Sequence, residues 1–397
     1  MKKRDIFAGA ERMDSTSSSL IRVMLDKVRA MKDAGKTVIP LVAGEPDFNT
    51  PEPIKKATIA ALEANFTHYG SNRGMPELRE KISKILERDM GVHYDPATEI
   101  LVTCGGAEAI NNALLSTISP GDEVIIFSPA FVSYENLVNL AGGTVVSLPL
   151  KEENGFQIDL AETEAHITDR TRMIILNNPC NPTGVAYHRE ILEGLAKLAC
   201  KYDLLVFSDE IYDRLTYDEP FCSMASFPGM RERALIMCGF SKTYAMTGWR
   251  LGYLAVDKRH MDYILKFHQY SSTCCPTFLQ IGLANSVDLP ETEAAVKEMQ
   301  KKFKERRKLI MEQLDKIPQI HYVRPSGAFY VFIDVSDTGL SGQEFSERLL
   351  EEKLVGTVPG IGLGKECGNF VRLSYATSNE NILEATNRMA DFVKSLA

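Results

Sequence analysis

The sequence has no long apolar segment, no excess of basic residues and no cysteine spacing typical of a metal site. No uninterrupted apolar run reaches the roughly 18 residues of a membrane span, so we expect none. Acidic residues outnumber basic ones by 53 to 45, and the net charge of −8 argues against a general binder of nucleic acids or membrane surfaces. The eight cysteines include no Cys-x-x-Cys pair, and we predict neither a metal centre nor a disulfide framework.

The beginning of the chain also lacks the pattern of a secretory signal. The first residues are basic, but no long apolar run follows them. The composition, 44% hydrophobic and 25% charged, is ordinary for a globular protein. We therefore expect a soluble, cytoplasmic protein with reduced thiols, and the length of 397 residues predicts two or three domains.

The apolar pattern divides the chain into two kinds of region. From about residue 98, short apolar strands alternate with helices, which indicates a largely parallel sheet covered on both faces. A long charged helix over 291–316 then precedes alternating strands and two terminal helices, which is typical of a smaller α+β domain. We predict an α/β fold with a large domain over 47–284 and a small domain that combines 1–46 with 285–397.

One stretch, Cys238–Tyr253, combines residues that suit a particular cofactor. It follows a predicted buried strand and places Lys242 among small and apolar residues, with Arg250 eight positions later. Burial lowers the pKa of a lysine, and the resulting amine can form a Schiff base with an aldehyde. An arginine can clamp a phosphate. Pyridoxal 5'-phosphate requires both groups, although in isolation Lys242 would more often be a surface lysine and Arg250 the partner of a carboxylate.

Other unusual residues follow neighbouring predicted strands, at the sheet edge where α/β folds bind ligands. Gly105–Ala107 opens a helix whose free N–H groups suit an anion. The loop 177–184 contains two Asn-Pro steps, which favour an extended backbone, and Asp209 and Tyr212 follow the next strand. An acid at this edge can pair with a protonated ring nitrogen. Taken singly, each feature has an ordinary explanation. The glycines would fit a simple turn, the loop 177–184 a proline-rich turn, and Asp209 a helix N-cap.

The chain as a whole resembles the fold type I pyridoxal-phosphate aminotransferases of class I/II. The matching stretches are Gly44–Phe48, His68–Arg79, Thr103–Ala109, Asn177–Gly184, Ser208–Tyr212, Ser241–Tyr253 and Phe370–Ala376. They span nearly the whole chain. The resemblance implies an enzyme that moves an amino group from an L-amino acid to a 2-oxoacid, with 2-oxoglutarate as the first choice, by a ping-pong mechanism.

The resemblance also implies how pyridoxal 5'-phosphate is held. Lys242 bonds the cofactor aldehyde and later acts as the acid and base for the proton shift, while Asp209 keeps the pyridine nitrogen protonated, so that the ring acts as an electron sink. The ring is contacted by Phe131, which stacks on its face, and by Asn181 and Tyr212, which hydrogen-bond its phenolate oxygen. The phosphate is bound by Gly105, Gly106, Ala107, Ser241, Arg250 and, from a second subunit, Tyr69.

For the substrate, the resemblance implies that Arg372 binds the α-carboxylate as a bidentate fork, assisted by the Gly44 backbone and by Asn181. Without the family match, Arg372 would more simply be a strand arginine in a surface ion pair. The role of Tyr69 in a neighbouring site predicts a homodimer with shared active sites.

Two positions depart from the family pattern. Many relatives have a phosphate-binding serine where this chain has Gly239, a loss of roughly one hydrogen bond, about 1 kcal/mol. One bacterial group of aspartate aminotransferases has a lysine for the distal substrate carboxylate where this chain has Ala107. An amino-acid donor with a neutral or aromatic side chain is therefore as plausible as aspartate, unless another basic residue such as Arg73 binds the distal carboxylate.

Two alternatives to a transferase remain open. A carbon–sulfur β-lyase on the same fold would share Arg372 and the loop 177–184. A non-enzymatic regulator would need a DNA-binding module ahead of the fold, and we expect none because the first predicted helix begins near residue 15.

Overall fold

Helices and short strands alternate through most of this computed structural model, which describes residues 7–16 and 18–396. The helices are α1 (Leu20–Asp33), α2 (Glu52–Glu63), α3 (Pro76–Met90), α4 (Gly106–Thr117), α5 (Ser133–Leu140), α6 (Leu160–Ala165), α7 (Arg189–Lys201), α8 (Lys258–Ser271), α9 (Thr277–Ala284), α10 (Pro290–Leu314), α11 (Gly342–Lys353) and α12 (Asn379–Lys394). The strands are β1 (Ile39–Pro40), β2 (Ile100–Thr103), β3 (Glu123–Ser128), β4 (Thr144–Pro149), β5 (Thr171–Asn177), β6 (Leu205–Asp209), β7 (Ala234–Gly239), β8 (Gly252–Ala255), β9 (His321–Tyr322), β10 (Tyr330–Asp334), β11 (Val355–Gly356), β12 (Val358–Pro359) and β13 (Phe370–Ser374).

Seven strands form the central sheet, in the order β2-β8-β7-β6-β5-β3-β4. Neighbouring strands from β7 to β4 are parallel, and β8 runs antiparallel to both of its neighbours. In β5, Ile174 packs into the core on one face, while Met173 and Ile175 pack into the core on the other. Because both faces are covered, the strands carry apolar residues at nearly every position. The predicted α/β class is confirmed.

A second sheet, in the order β12-β13-β10-β9, is antiparallel. The long helix α10 begins at Pro290, where the missing N–H leaves no hydrogen bond unmade. The residues predicted for its apolar side are all buried, and they are Val296, Met299, Phe303, Ile310 and Leu314. Their spacing of three to four residues, or multiples of it, explains why one side of an otherwise charged helix is covered.

The N-terminal part of the chain joins this second region through β1, which pairs in parallel with β11. Leu41 lies in the same core cluster as Phe345 of α11. For the described residues, these contacts support our proposal that 1–46 and 285–397 form the small domain and 47–284 the large one; residues 1–6, 17 and 397 lie outside the described residues.

Apolar packing continues across the proposed domain boundary. Met24 of α1 and Phe332 of β10 lie in the same core cluster as Val206 and Ile236 of the central sheet. Within the described part of the chain, no helix combines the length and the apolar character that crossing a bilayer requires.

Candidate active site

The carboxyl ends of β5, β6 and β7 open into a cavity of about 250 Å³, which β10 and β13 of the second sheet also line. Most of the predicted site residues lie on its walls: Gly44, Gly106, Ala107, Phe131, Asn181, Asp209, Tyr212, Ser241, Lys242, Arg250 and Arg372. Two predicted residues do not. Gly105 directly precedes the wall at Gly106, and Tyr69 is 90% exposed on the surface.

Lys242 lies in the turn after β7, and its amine is enclosed by the cavity. The Nζ atom donates a hydrogen bond of 2.5 Å to the carbonyl oxygen of Gly44. Burial lowers the pKa of Lys242 to about 8, although the negative charges of Glu45 and Asp209 oppose this shift. The side chain is therefore an amine that can lose its proton at mildly alkaline pH.

Asp209 is the last residue of β6 and is buried. Its Oδ2 atom accepts a hydrogen bond of 2.5 Å from the hydroxyl of Tyr134, and its Oδ1 atom accepts one from the Ile211 amide at 3.2 Å. Burial raises the pKa of Asp209 to about 6, while the hydrogen bonds and the charge of Lys242 hold it down. Such a carboxylate favours a cation beside it.

Tyr134 is a site residue that the sequence did not indicate. It lies in α5, is fully buried, and meets the ring of Phe131 edge-on with 5.7 Å between ring centroids. The one indication in the sequence was that Tyr134 lies three residues after Phe131, which was itself predicted to contact the cofactor. A tyrosine on the buried side of a helix, however, is as easily explained by core packing.

Arg372 lies in the middle of β13, and 1% of it is exposed. One of its terminal nitrogens donates to Oδ1 of Asn181 at 2.9 Å, and the other to the carbonyl oxygen of Val42 at 3.0 Å. Its Nε–H has no acceptor among the described residues, and its side-chain hydrogen bonds go to the Asn181 amide and the Val42 carbonyl rather than to a carboxylate. A surface ion pair is thus wrong for this residue. A buried, unneutralised guanidinium calls for an anionic ligand.

Two tyrosines form part of the cavity wall. The hydroxyl groups of Tyr212 and Tyr330 are 2.9 Å apart, and the guanidinium carbon of Arg372 lies 4.6 Å from the ring centroid of Tyr330. Burial raises the pKa of Tyr212, so its hydroxyl stays protonated and can donate. A side chain at Gly44 would approach the Tyr330 hydroxyl to 2.8 Å, which explains the glycine at that position. Tyr330 is the second site residue that the sequence did not indicate.

The start of α4 forms a cradle suited to an anion. The helix begins at Gly106, and the first N–H groups of a helix have no acceptor within it. Gly105 has φ +84°, and a Cβ atom there would lie 2.6 Å from a terminal nitrogen of Arg250. Arg250 is itself exposed and anchored by a hydrogen bond of 2.9 Å to the carbonyl oxygen of Thr247. The glycine thus leaves room for the guanidinium beside the helix start.

The structure gives a packing reason for Gly239. This residue ends β7 and is paired in register with Gly252 of β8. A Cβ atom at Gly239 would lie 3.0 Å from Cα of Gly252 and 3.2 Å from the carbonyl oxygen of Leu251. A serine in this position would press on the neighbouring backbone, so the missing hydroxyl follows from the close approach of two strands.

Arg73 lies away from the cavity of its own chain. Its guanidinium donates to the carbonyl oxygen of Ala97 at 2.8 Å and lies 3.9 Å from the carboxylate of Asp262. Among the described residues that line the cavity, the cationic side chains are Lys242, Arg250 and Arg372.

The donor set fits pyridoxal 5'-phosphate. An enclosed amine of lowered pKa suits the aldehyde, and the buried Asp209 suits a protonated ring nitrogen. The space beside Gly105 and Arg250 at the helix start suits the phosphate. The unpaired Nε–H of Arg372 leaves a further anion site for a substrate carboxylate.

Comparisons with known proteins agree with this geometry. Residues 36–389 match the family described as aminotransferase class I and II. The chain is 43% identical to an aspartate aminotransferase of Pyrococcus abyssi, over 96% of this chain and 97% of that protein. It is 40% identical to an aromatic-amino-acid aminotransferase of Thermococcus litoralis, over 97% of this chain and 98% of that protein.

Solved structures give the same result. An aromatic aminotransferase from Pyrococcus horikoshii is 42% identical, with a TM-score of 0.89 over 93% of this chain and all of that one. An aspartate aminotransferase from Thermus thermophilus, solved with maleate, is 36% identical, with a TM-score of 0.93 over 97% of this chain and all of that one. The predicted resemblance is confirmed: the chain belongs to the class I and II aminotransferases, enzymes that transfer amino groups with pyridoxal 5'-phosphate.

Proposed function

We propose that Lys242 is the residue through which this aminotransferase bonds its cofactor and relays the proton while an amino group passes from an L-amino acid to a 2-oxoacid such as 2-oxoglutarate. The observation that carries the proposal is an amine of lowered pKa in the same cavity as the buried Asp209 and Arg372. Pyridoxal 5'-phosphate, when bound, supplies an aldehyde for the amine and a ring that withdraws electrons from the reacting carbon.

Lys242 performs two tasks in this proposal. In its neutral form the amine has the lone pair needed to attack an aldehyde, and its pKa of about 8 makes this form accessible near neutral pH. With the cofactor bound, the same nitrogen would accept the proton of the substrate α-carbon and return it during the transfer. The hydrogen bond to Gly44 fixes the position of the nitrogen.

Asp209 and its neighbours hold the charge on the ring. Tyr134 orients one oxygen of the carboxylate, and the side-chain amide of Asn177 donates to the Asp209 carbonyl at 3.1 Å. The Oδ1 atom of Asn177 in turn accepts from the Asn181 amide at 2.7 Å. Asp209 would hold a protonated ring nitrogen, because opposite charges favour each other strongly in a buried site.

Arg372 is proposed to bind the α-carboxylate of the substrate. Its two terminal nitrogens are already oriented by Asn181 and Val42, so little side-chain entropy is lost when a carboxylate arrives. The third donor, Nε–H, is free for that ligand.

The cavity supports a donor with a neutral or aromatic side chain. Ile21, Ala107 and Ile110 line it together with Phe131. Among the described residues that line the cavity, each cationic side chain is already proposed to hold either the cofactor or the substrate α-carboxylate. A half-reaction screen, in which each amino acid converts the absorbance of the bound cofactor, measures this preference. A clear preference for aspartate over phenylalanine and leucine would contradict it.

We also propose a homodimer in which Tyr69 reaches the phosphate of the partner. Tyr69 is 90% exposed and Tyr270 89% exposed, and a hydrogen bond of 2.8 Å from Asn72 to the Thr273 carbonyl joins the two segments that carry them. Exposed aromatic side chains of this kind favour an interface. Sedimentation that finds a fully active monomer would overturn the proposal.

Replacing Lys242 with alanine tests the central assignment. We expect no covalent cofactor adduct after borohydride reduction and intact-mass analysis, and a fall in turnover of roughly 10³-fold or more. Lys365→Ala is the matched control, because the Lys365 side chain is 88% exposed. The control should keep both the adduct and the turnover. Undiminished transfer by the Lys242 variant would disprove the assignment.

A further inference from the structure

Two cysteines meet behind the proposed phosphate site, although 171 positions separate them in the sequence. The Sγ atoms of Cys104 and Cys275 are 3.3 Å apart, and both thiols are free. One oxygen of Glu108 lies within 4.8 Å of both sulfurs. Neither thiol has a part in the proposed transfer. Two sulfurs in van der Waals contact need only a small movement to form a bond.

The two thiols differ in a way that suits sequential oxidation. Cys104 is half-buried, whereas 1% of Cys275 is exposed. The hydrogen bond from Cys275 and the positive charge of Arg250 lower the pKa of Cys104, against the effects of burial and of Glu108. The pKa of Cys275 is raised by its hydrogen bond to Cys104 and by burial. Cys104 is therefore the thiolate that an oxidant meets first, and Cys275 is the resolving thiol.

Each cysteine belongs to a segment that bears on cofactor binding. Cys104 directly precedes Gly105, the residue in contact with Arg250 at the start of α4. The Cys275 carbonyl accepts a hydrogen bond from the side chain of Gln280, which in turn accepts one from the Met75 amide at 2.7 Å. The pair therefore links the phosphate cradle to the loop that carries Tyr69.

We propose that Cys104 and Cys275 form a reversible disulfide that weakens the grip of the α4 cradle on the cofactor phosphate. The oxidant is hydrogen peroxide. The Cys104 thiolate attacks one peroxide oxygen, the O–O bond breaks, and sulfenic acid and hydroxide form. The Cys275 sulfur then attacks the Cys104 sulfur, the S–O bond breaks, and the departing hydroxide takes the Cys275 proton to become water. Two electrons pass from the sulfur pair to the peroxide, and an added dithiol reverses the change.

The effect on the cofactor follows from the lack of space at Gly105. A disulfide requires about 2.05 Å between sulfurs, so the segments that carry them must shift toward each other. Even a Cβ atom at Gly105 would lie 2.6 Å from a terminal nitrogen of Arg250, so a shift of Cys104 displaces the turn, the arginine or both. This consequence rests on the proposed phosphate site, whereas formation of the disulfide does not.

Peroxide treatment of the purified holoenzyme, followed by alkylation and peptide mapping, tests bond formation. We expect a Cys104–Cys275 cross-linked peptide that disappears on treatment with dithiothreitol. The Cys275→Ser variant should instead trap Cys104 as a sulfenic acid that reacts with dimedone, and Cys104→Ser should give neither product. Cys274→Ser is the matched control and should keep the cross-link. Two cysteines that both remain alkylatable after peroxide treatment would overturn the proposal.

Equilibrium dialysis then tests the consequence for the cofactor. We expect the dissociation constant of pyridoxal 5'-phosphate to rise at least threefold in the oxidised wild type and to recover with dithiothreitol. Peroxide-treated Cys275→Ala should show no such dithiothreitol-reversible rise. A cross-link without any change in the dissociation constant would refute the effect on the phosphate. Failure of the Lys242 assignment would leave the peptide map unchanged, so the two failures are distinguishable.

Discussion

Lys242 and Arg372 share one cavity, and the two sheets supply them in different ways. The central parallel sheet delivers Lys242 from the turn after β7, while the antiparallel sheet carries Arg372 within β13. Burial lowers the pKa of Lys242 to about 8, so this cation can lose its charge and become a nucleophile. The guanidinium of Arg372 stays charged and needs an anion. The same desolvation therefore suits one residue to chemistry and the other to binding.

After Lys242→Ala, the largest effect on the chemical side of this comparison is expected at Asp209. Asp209→Asn keeps the shape but removes the charge that stabilises a protonated ring, and we expect kcat to fall by about 10³-fold. Steady-state kinetics measure this, and Asp203→Asn, at an exposed side chain ahead of β6, is the control. A variant with a raised KM and an unchanged kcat would contradict the proposal that the central sheet supplies the chemistry and the antiparallel sheet the binding.

Arg372→Lys tests the binding side. The variant keeps a positive charge but loses the bidentate fork and the contact to Asn181, so we expect KM for the amino acid to rise about 10²-fold. We expect kcat to change less. Arg324→Lys, at an exposed arginine, should leave both constants unchanged. A fall in kcat without any change in KM would contradict the role of Arg372.

Stability of the cofactor-free protein should report the lowered pKa of Lys242. Because the unfolded lysine, with a pKa near 10.5, binds its proton more tightly than the folded one, stability rises as pH increases from about 8 to 10.5. Lys242→Met removes this buried charge. We expect it to stabilise the fold below pH 8 by about 2 kcal/mol, and by less at higher pH.

Urea denaturation of the cofactor-free protein across this pH range measures the difference between wild type and variant. A constant difference at every pH would show that the amine keeps an ordinary pKa when folded.

The smallest effect is expected from Tyr134→Phe, which removes a hydrogen-bond donor to Asp209 but leaves the carboxylate in place. The variant loses one hydrogen bond to the carboxylate, about 1 kcal/mol, so we expect the pKa of Asp209 to rise and kcat to fall up to about tenfold. The acid limb of the pH–rate profile should move to higher pH. Tyr202→Phe, at a tyrosine bound to Glu164 near the surface, is the control. An unmoved acid limb would contradict the coupling.

Local pattern was enough to predict much of this molecule. The apolar runs predict the central sheet, the buried side of α10 and the strand ends that carry Asp209 and Lys242. These features depend on residues close together in the chain. Tyr134 and Tyr330 were missed because an aromatic residue in an apolar segment looks the same whether it fills a core or holds a carboxylate.

By itself, the sequence determined the α/β class, the family and many of the residues that line the cavity, because motifs and periodicity are local properties. The tertiary structure alone decided which of these residues touch. Arg372 meets Asn181 across 191 positions, Cys104 meets Cys275 across 171, and Gly239 packs against Gly252. Such contacts, and the burial that lowers the pKa of Lys242, exist only when distant segments pack together and exclude water.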